Sequence, residues 1–475
     1  MSLRFLFACC CLVAGHWLSG QTIWDLNQCI EYASKNNLAV QQADLSVELA
    51  EIDVRTGRHR YFPDLTGSLN GGISFGRNID PTTNSFTTEN ILYSNYSLSS
   101  AVVLFQSGSL RNASRQERIQ LSAAREDRQQ SLNDLGLSIA GYYLNVLLAG
   151  ERLEVAAQSL ETRKLQQDQA EKLIRAGLRP ESDLLEWISQ TALAEQGVVA
   201  AENGLDLAWL QLRQAMRLPF AADVQLQGLR EEQLDVIALQ LYTYEDLIAP
   251  ATESQASIRA AKLRLDVAKI GEKIARATFF PTVYMSGSIG SRFSDAAIRP
   301  TEYGTTRVSV PGVYIDGKPA QFEQDYPTVL ETEVTPFSDQ FDQFLGYGAG
   351  ISVSIPIYRN NAARGALQRA KISTRSAALQ LEQRKETLDQ NVFTAIANLK
   401  AAGKDYDAAL KAYNASKGLQ ESVAKKLELG SASAFEFNVA QTNFQSSSNN
   451  LLIAKYELVF RQKVLDYYAG KKLTW

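Results

Sequence analysis

Side chains able to do chemistry are few and scattered in this 475-residue chain. It has 2 histidines, His16 and His59, and 4 cysteines, three of which (Cys9, Cys10 and Cys11) share the first twenty residues with His16. Beyond residue 20 one imidazole and one thiol, Cys29, remain, too few for a His-ligated metal centre, a His-based triad or an intramolecular disulfide. Cys29 sits in a helical pattern and reads as a small buried hydrophobe. The glycine-alternating run Gly346, Gly348, Gly350 could pass for a phosphate loop, but no βαβ unit surrounds it, and small wall residues suit it better. No nucleophile–base pair is evident, so the expectation is a non-enzyme with no cofactor and no metal. Two acids stand near the starts of helices that follow glycine turns: Asp183 after Gly177, and Glu436 after Gly430. Ser433-Ala434-Phe435-Glu436 also has the spacing of a capping box, with Glu436 reaching back to the N-cap amide.

Long helices must position these acids. Residues 109–176 contain no proline and are bracketed by Gly108 and Gly177. A helix of that length is on the order of 100 Å long. Its apolar residues, Leu132, Leu135, Ile139, Tyr142, Val146, Ala149, Leu153, Ala156 and Leu160, step by three and four, as in a coiled-coil seam. The seam returns as Leu388, Val392, Ala395, Leu399, Ala402, Tyr406, Ala409 and Tyr413, each 253 residues after a seam position of the first run. Polar flanks predict packing along a narrow stripe without an enclosing core. A repeat of this size is a duplicated domain rather than a solenoid.

Residues 1–20 resemble a secretory signal, with Arg4, an apolar stretch from Phe5 to Val13, and Ser19-Gly20 before Gln21. Leu6-Phe7-Ala8-Cys9 loosely resembles a lipobox, so a lipidated N-terminus is the alternative, although Cys9 precedes a complete apolar core. After the leader no run of 18 apolar residues could cross a membrane as a helix. A net charge of −4 gives no basic footprint for nucleic acid.

Repeat 1 is expected over 21–218: a helix from Trp24 to about Arg60, strands 64–76 and 92–105, a long helix 109–176 and a return helix 181–217. A connector fills 219–243. Repeat 2 covers 244–475, with a helix, strands 282–293 and 346–357, a long helix 361–429 and a return helix 434–470. The strands show a two-residue period: Leu65, Gly67, Leu69, Gly71 and Ile73 alternate with Thr66, Ser68, Asn70, Gly72 and Ser74. Such a strand is long enough to cross a bilayer at a tilt. Tyr96, Leu98, Val102 and Leu104 share one face of the second strand. Pro281 lies 218 residues after Pro63, whereas the long helices are offset by 253. The extra 35 residues fall between about Phe293 and Gly346, a stretch that reads as an external loop. Gly177 suits a left-handed C-cap and Pro180 the first turn of the next helix, where Glu181 and Asp183 meet the positive end of the helix dipole.

Four strands cannot close a barrel, and an open edge cannot stand in hydrocarbon. Several copies must therefore pool their strands, with apolar faces toward lipid and polar faces toward water. The duplicated order of helix, two strands, long helix and return helix resembles the TolC family of outer-membrane efflux and secretion channels. Phe62-Pro63 and Phe280-Pro281 before the strands support the resemblance. So do Val103-Leu104-Phe105, Pro356-Ile357-Tyr358, the Gly177 and Gly430 turns, and Asn450-Leu451-Leu452-Ile453-Ala454-Lys455-Tyr456. It implies an α+β membrane protein: a homotrimer with a 12-stranded β-barrel in outer-membrane lipid, continued by a long periplasmic α-helical coiled-coil barrel. It also implies partnership with a periplasmic adaptor (membrane fusion) protein and an inner-membrane pump of a tripartite efflux or type I secretion system. The periplasmic entrance turns would then be Gly177, Asp183, Gly430, Ser433 and Glu436, with Glu436 matching an acidic gate position and Val439 standing where some members have a second acid. Capping and gating both remain open for Glu436. A periplasmic adaptor or structural coiled-coil protein of the envelope is the competing class, but neither needs four lipid-length strands.

Overall fold

A computed structural model of the chain describes residues 22–79, 86–177, 180–220, 222, 224–229, 242–310, 312, 314–319 and 321–471. The expected signal segment, the lipobox alternative at Cys9 and the first loop's Asp80, Pro81 and Asn84 lie outside these residues. The chain divides into two compact units, one of Met1–Ile52, Arg118–Ala268 and Ser373–Trp475, the other of Asp53–Glu117 and Lys269–Ile372.

The first unit is helical. Strand β1 (Thr22–Trp24) leads into α1 (Leu26–Asn36), capped by an Asp25–Gln28 box. Helix α2 (Leu38–His59) follows. The expected single helix from Trp24 to Arg60 is thus broken at Asn37, whose side chain accepts from Ala39 N at 2.8 Å and donates to the Ala215 carbonyl at 2.9 Å. An Asx residue that bonds its own backbone two residues on competes with helix continuation. Beyond it come the 67-residue α3 (Ser109–Arg175), the return helix α4 (Glu181–Met216) and β6 (Val224–Leu226), which pairs in parallel with β1. Repeat 2 restates the series as α5 (Tyr244–Ser254), α6 (Ala256–Ala277), the 67-residue α8 (Ala362–Glu428) and α9 (Ala434–Tyr468). Gln255 breaks the first pair where Asn37 broke its counterpart.

Each repeat has its own apolar core at the crossing of its long and return helices. In repeat 1, Leu26, Cys29 and Val40 pack against Leu135, Ile139, Val146, Leu212 and Met216. Burial pushes the Cys29 thiol up to about 12, with Asp25 adding to the effect. In repeat 2, Leu388, Val392, Ala395 and Leu399 pack against Leu247, Ile258, Leu458 and Leu465. The buried stripe on α3 is wider than the expected seam: Tyr143, not Tyr142, is fully enclosed. Its hydroxyl donates to the Gln227 carbonyl at 2.6 Å, because the β1–β6 pair closes over that side of the helix.

The second unit is built on a four-stranded antiparallel sheet in the order β12 (Gly346–Ser354), β7 (Thr282–Ser294), β5 (Ile91–Phe105), β2 (Thr66–Ser74). A two-residue pair, β3 (Asn78–Ile79) and β4 (Phe86–Thr87), flanks the first loop. Directly opposed residues share a face. Leu98 stands opposite Gly67 and Ile289, and Met285 opposite Val102 and Ile351. On the other face Asn70 meets Asn95, and Ser99 meets Thr66 and Ser288. Ser286 meets Ala101 and Gly350 there, and Ser352 meets Tyr284. Leu104 does not join the apolar row, because a register shift between Val103 and Phe105 leaves it in a bulge.

The 35 extra residues are not an irregular loop. They form a long antiparallel hairpin, β8 (Ile298–Val310) with β11 (Phe322–Val334), tipped by β9 (Tyr314–Ile315) and β10 (Lys318–Pro319). Helix α7 (Phe337–Gln343) anchors its base. The buried Gln340 amide accepts from Ser294 N at 2.9 Å and donates to the Ser294 and Thr335 carbonyls at 2.8 Å. Arg299 joins Glu333 and Asp339, both at 2.7 Å. The hairpin escapes a periodicity search because its apolar face is diluted: Phe322, Tyr326, Leu330 and Val334 are interspersed with Gln324, Thr328 and Thr332, opposite a face of Glu323, Asp325, Glu331 and Glu333.

The face assignment has a measurable consequence. Arginine at Leu98 or Met285 should destabilise the lipid-inserted protein by about 2–4 kcal/mol, and arginine at Ser99 or Ser286 much less. Urea unfolding from bilayers would read the difference; equal costs on the two faces would refute the register's functional meaning.

Candidate functional site

The two turns that end the long helices begin alike. Gly177 has φ +73° and Gly430 φ +70°, a region in which a Cβ is disfavoured. The Gly430 amide donates to the Leu427 carbonyl at 3.1 Å and the Ser431 amide to that of Lys426 at 2.8 Å, satisfying carbonyls the helix end leaves open. The Gly177 amide donates to the Ile174 carbonyl at 2.9 Å; Leu178 and Arg179 lie outside the described residues.

Then the turns diverge. Ser433 Oγ accepts from Glu436 N at 3.1 Å, and Ser433 N donates to Glu436 Oε2 at 2.9 Å, so both halves of the capping box are made. Repeat 1 has Pro180 in the matching place. Proline lacks both an amide hydrogen and a hydroxyl, so Asp183 cannot close an equivalent box. Pro180 is itself the N-cap, with ψ 153°, rather than a first-turn residue, while Glu181 and Asp183 do occupy the first turn. The Glu436 side chain is exposed, and so is Val439.

The residues that join the two turns are ones the sequence pattern did not single out. The rings of Trp187 on α4 and Phe437 on α9 lie 6.2 Å apart in a buried cluster with Ala170 and Ala434. Further along the helices, the almost fully buried Arg163 guanidinium donates to Asn438 Oδ1, and Asn438 Nδ2 donates to Glu186 Oε1 at 2.7 Å. One carboxamide therefore links α3 and α4 of repeat 1 to α9 of repeat 2. Burial lowers the Arg163 pKa, and the Glu186 charge opposes that shift. Polar rungs continue along α8 and α9, where Gln420 donates to Gln441 at 2.9 Å and Ser416 meets Ser447 at 2.5 Å. A signal for this layer did exist: Arg163 is three residues after Leu160, on the next step of the coiled-coil seam.

A cavity of about 400 Å³ opens beside the cluster, walled by Leu173, Trp187, Leu427 and Phe437, with Lys172 and Glu428 on its lining. Among the described residues no group of three or more His, Cys, Asp or Glu side chains could hold a metal ion.

Two substitutions test this geometry. Gly430→Ala should cost about 1–2 kcal/mol by forcing a Cβ into the left-handed region. Asn438→Leu should cost about 1–3 kcal/mol, since it leaves Arg163 and Glu186 without their shared partner. Adding Arg163→Met should recover much of that loss, because an apolar pair needs no partner. Thermal melting checks both, and a double variant no more stable than Asn438→Leu would contradict the network.

A family model described as outer membrane efflux protein matches residues 29–216 and 247–471. Among solved structures, CusC, whose crystal structures concern folding and transmembrane channel formation, is 18% identical with a TM-score of 0.73, over 95% of this chain and 94% of its own. VceC of Vibrio cholerae is 15% identical with a TM-score of 0.68, over 94% of this chain and 96% of its own. The open-state MtrE channel of Neisseria gonorrhoeae is 20% identical with a TM-score of 0.69, over 94% and 89%. No curated protein sequence matches. At these identities the likeness speaks for the fold: an α+β protein of duplicated helix–strand–strand–long helix–helix repeats.

Proposed function

Because the chain belongs to the outer membrane efflux protein family, an outer-membrane channel class that reaches into the periplasm, we propose that it serves as the exit duct of a tripartite efflux or type I secretion assembly. Members of the family are non-enzymatic and trimeric, and work in general with periplasmic adaptors and inner-membrane pumps. In this reading three copies of the chain contribute twelve strands to one barrel, and the turns at Gly177 and Gly430 form the periplasmic entrance. The observation that carries the reading is the sheet: four strands sorted into an apolar and a polar face, with β2 and β12 as edges unpaired among the described residues. A two-faced sheet with open edges suits a wall between lipid and water and suits a soluble adaptor poorly. The cavity beside Trp187 and Phe437 offers an adaptor an apolar recess at the same end.

Glu436 has two duties in this reading. Its carboxylate caps α9, and three copies around an axis would repel anions and draw cations such as Mg²⁺ or cationic drugs. Asp183, opposite a proline that cannot form a capping box, adds charge from the other repeat. Glutamine can still accept from Ser433 N, so Glu436→Gln separates the roles. In planar bilayers the wild-type protein should conduct with cation preference. The variant should lose part of that preference while melting at nearly the same temperature. Unchanged selectivity with a lowered melting point would confine Glu436 to capping, and absence of any conductance from the wild type would overturn the channel itself.

A further inference from the structure

Where repeat 1 has the two-residue pair β3–β4, repeat 2 has the hairpin β8–β11, with two strands of 13 residues each. At ~3.4 Å per residue each strand is about 44 Å long. Two strands alone are marginal in water, and a hairpin with an apolar side needs further packing to hold its shape.

The cross-strand register sorts its side chains. On one face Val334 stands opposite Ile298, Tyr326 opposite Thr306, and Gln324 opposite Val308. Leu330 lies on that face as well, since a Cβ on Gly304 would stand 2.7 Å from its Cδ1. The other face pairs Glu333 with Arg299 and Asp325 with Arg307. Ile298, Val308, Tyr326, Leu330 and Val334 are between 42% and 59% exposed, so a row of large apolar side chains lies open along the hairpin.

The base of the hairpin fixes which way that row looks. Phe337 and Phe341 of α7 lie against Tyr96, with ring centroids 5.7 and 6.0 Å away, and Phe337 lies 5.8 Å from Phe293. Tyr96 and Phe293 share the sheet face of Leu98, the face that meets lipid in the channel reading. Helix α7 therefore sits on the lipid side of the sheet. Arg299, on the charged face of the hairpin, reaches Asp339 of α7 at 2.7 Å. The charged face thus continues the lipid side of the sheet past α7, and the apolar row continues the water side. Polarity inverts at the hairpin base.

We propose that this apolar row packs against the same row on two further copies of the chain, so that three hairpins meet across the outer mouth of the barrel. The inference rests on the trimeric channel reading and goes beyond it by giving the inserted hairpin a partner. In a closed barrel the water side of the sheet is the inner side, so each row looks toward the three-fold axis. Twelve strands spaced ~4.8 Å apart and tilted by ~40° give a wall radius of about 12 Å. The hairpin is several times longer, so a modest lean brings the rows together. The strand edges agree with this packing. Strand β8 carries Arg299, Glu302 and Arg307, two positive charges and one negative, whereas β11 carries the four acids Glu323, Asp325, Glu331 and Glu333. Strand β11 leads through α7 into the edge strand β12, and β8 leaves the inner strand β7. Around the ring the β11 edge of one copy therefore turns toward the β8 edge of the next, antiparallel to it and opposite in net charge.

The test uses the full chain, purified in detergent and reconstituted in planar bilayers. Leu330→Cys treated with a short bismaleimide should yield covalent dimers on a denaturing gel, because identical thiols then face one another across the axis. Asp325→Cys, on the charged face, should yield none. Val308→Cys repeats the inward measurement should the first variant fail to fold. Replacing residues 300–332 by a short Gly-Ser turn should raise the resting conductance several-fold. Cross-linking from Asp325→Cys with none from either inward variant would reverse the facing and overturn the proposal. Inward cross-linking with an unchanged conductance in the shortened chain would support the contact and overturn its place across the mouth. A trimer by native mass spectrometry in which neither inward variant cross-links would overturn the contact and leave the channel reading standing. A monodisperse monomer would overturn both.

Discussion

An unpaired strand edge cannot be left in hydrocarbon, and the rest of this chain follows from that constraint. Strands β2 and β12 close neither on each other nor on anything else among the described residues. Each exposes a row of backbone donors and acceptors, and in lipid each unsatisfied group costs several kcal/mol. A strand from another copy removes the cost without a new fold. Duplication supplies an economical source of strands: each repeat gives two to the four-stranded sheet.

The distribution of polarity along the helices follows a different logic. The two apolar cores sit where each long helix is crossed by its return helix and its short partners. Toward the Gly177 and Gly430 turns the interior becomes polar, with Arg163, Asn438, Gln441 and Ser447 replacing aliphatic side chains. Polar layers give weaker packing than apolar ones, yet they specify register, because each donor has one matching acceptor. They also lose less on meeting water. If this end is the entrance proposed above, it would benefit on both counts, while the aromatic pair of Trp187 and Phe437 keeps the two helices joined.

Much of the fold was legible in the sequence because its signals are periodic. The 3,4 steps of Leu135, Ile139 and Val146, the two-residue alternation around Leu69, and the glycines ending each long helix all persist in the structure. What was hidden depends on context. The Asn37 break is one amide competing with a helix. The β8–β11 hairpin has its apolar positions spaced out by Gln324, Thr328 and Thr332, and the Leu104 bulge is one residue in an otherwise regular strand. At the candidate site, the Ser433–Glu436 box could be read from spacing alone. The Arg163–Asn438–Glu186 link could not, since Asn438 lies 275 residues from Arg163 and 252 from Glu186 and no local pattern announces such a partner.

Cys29 carries a consequence of another kind. It is the sole cysteine among the described residues, it is fully enclosed, and its thiol is pushed up to about 12. The thiolate is the reactive species, and at neutral pH a group with that pKa is ionised only about once in 10⁵ molecules. Among the described residues, the fold therefore offers no thiol to maleimides, spin labels or oxidants. A surface cysteine introduced there would report on its own position with Cys29 left in place to fill the core of repeat 1.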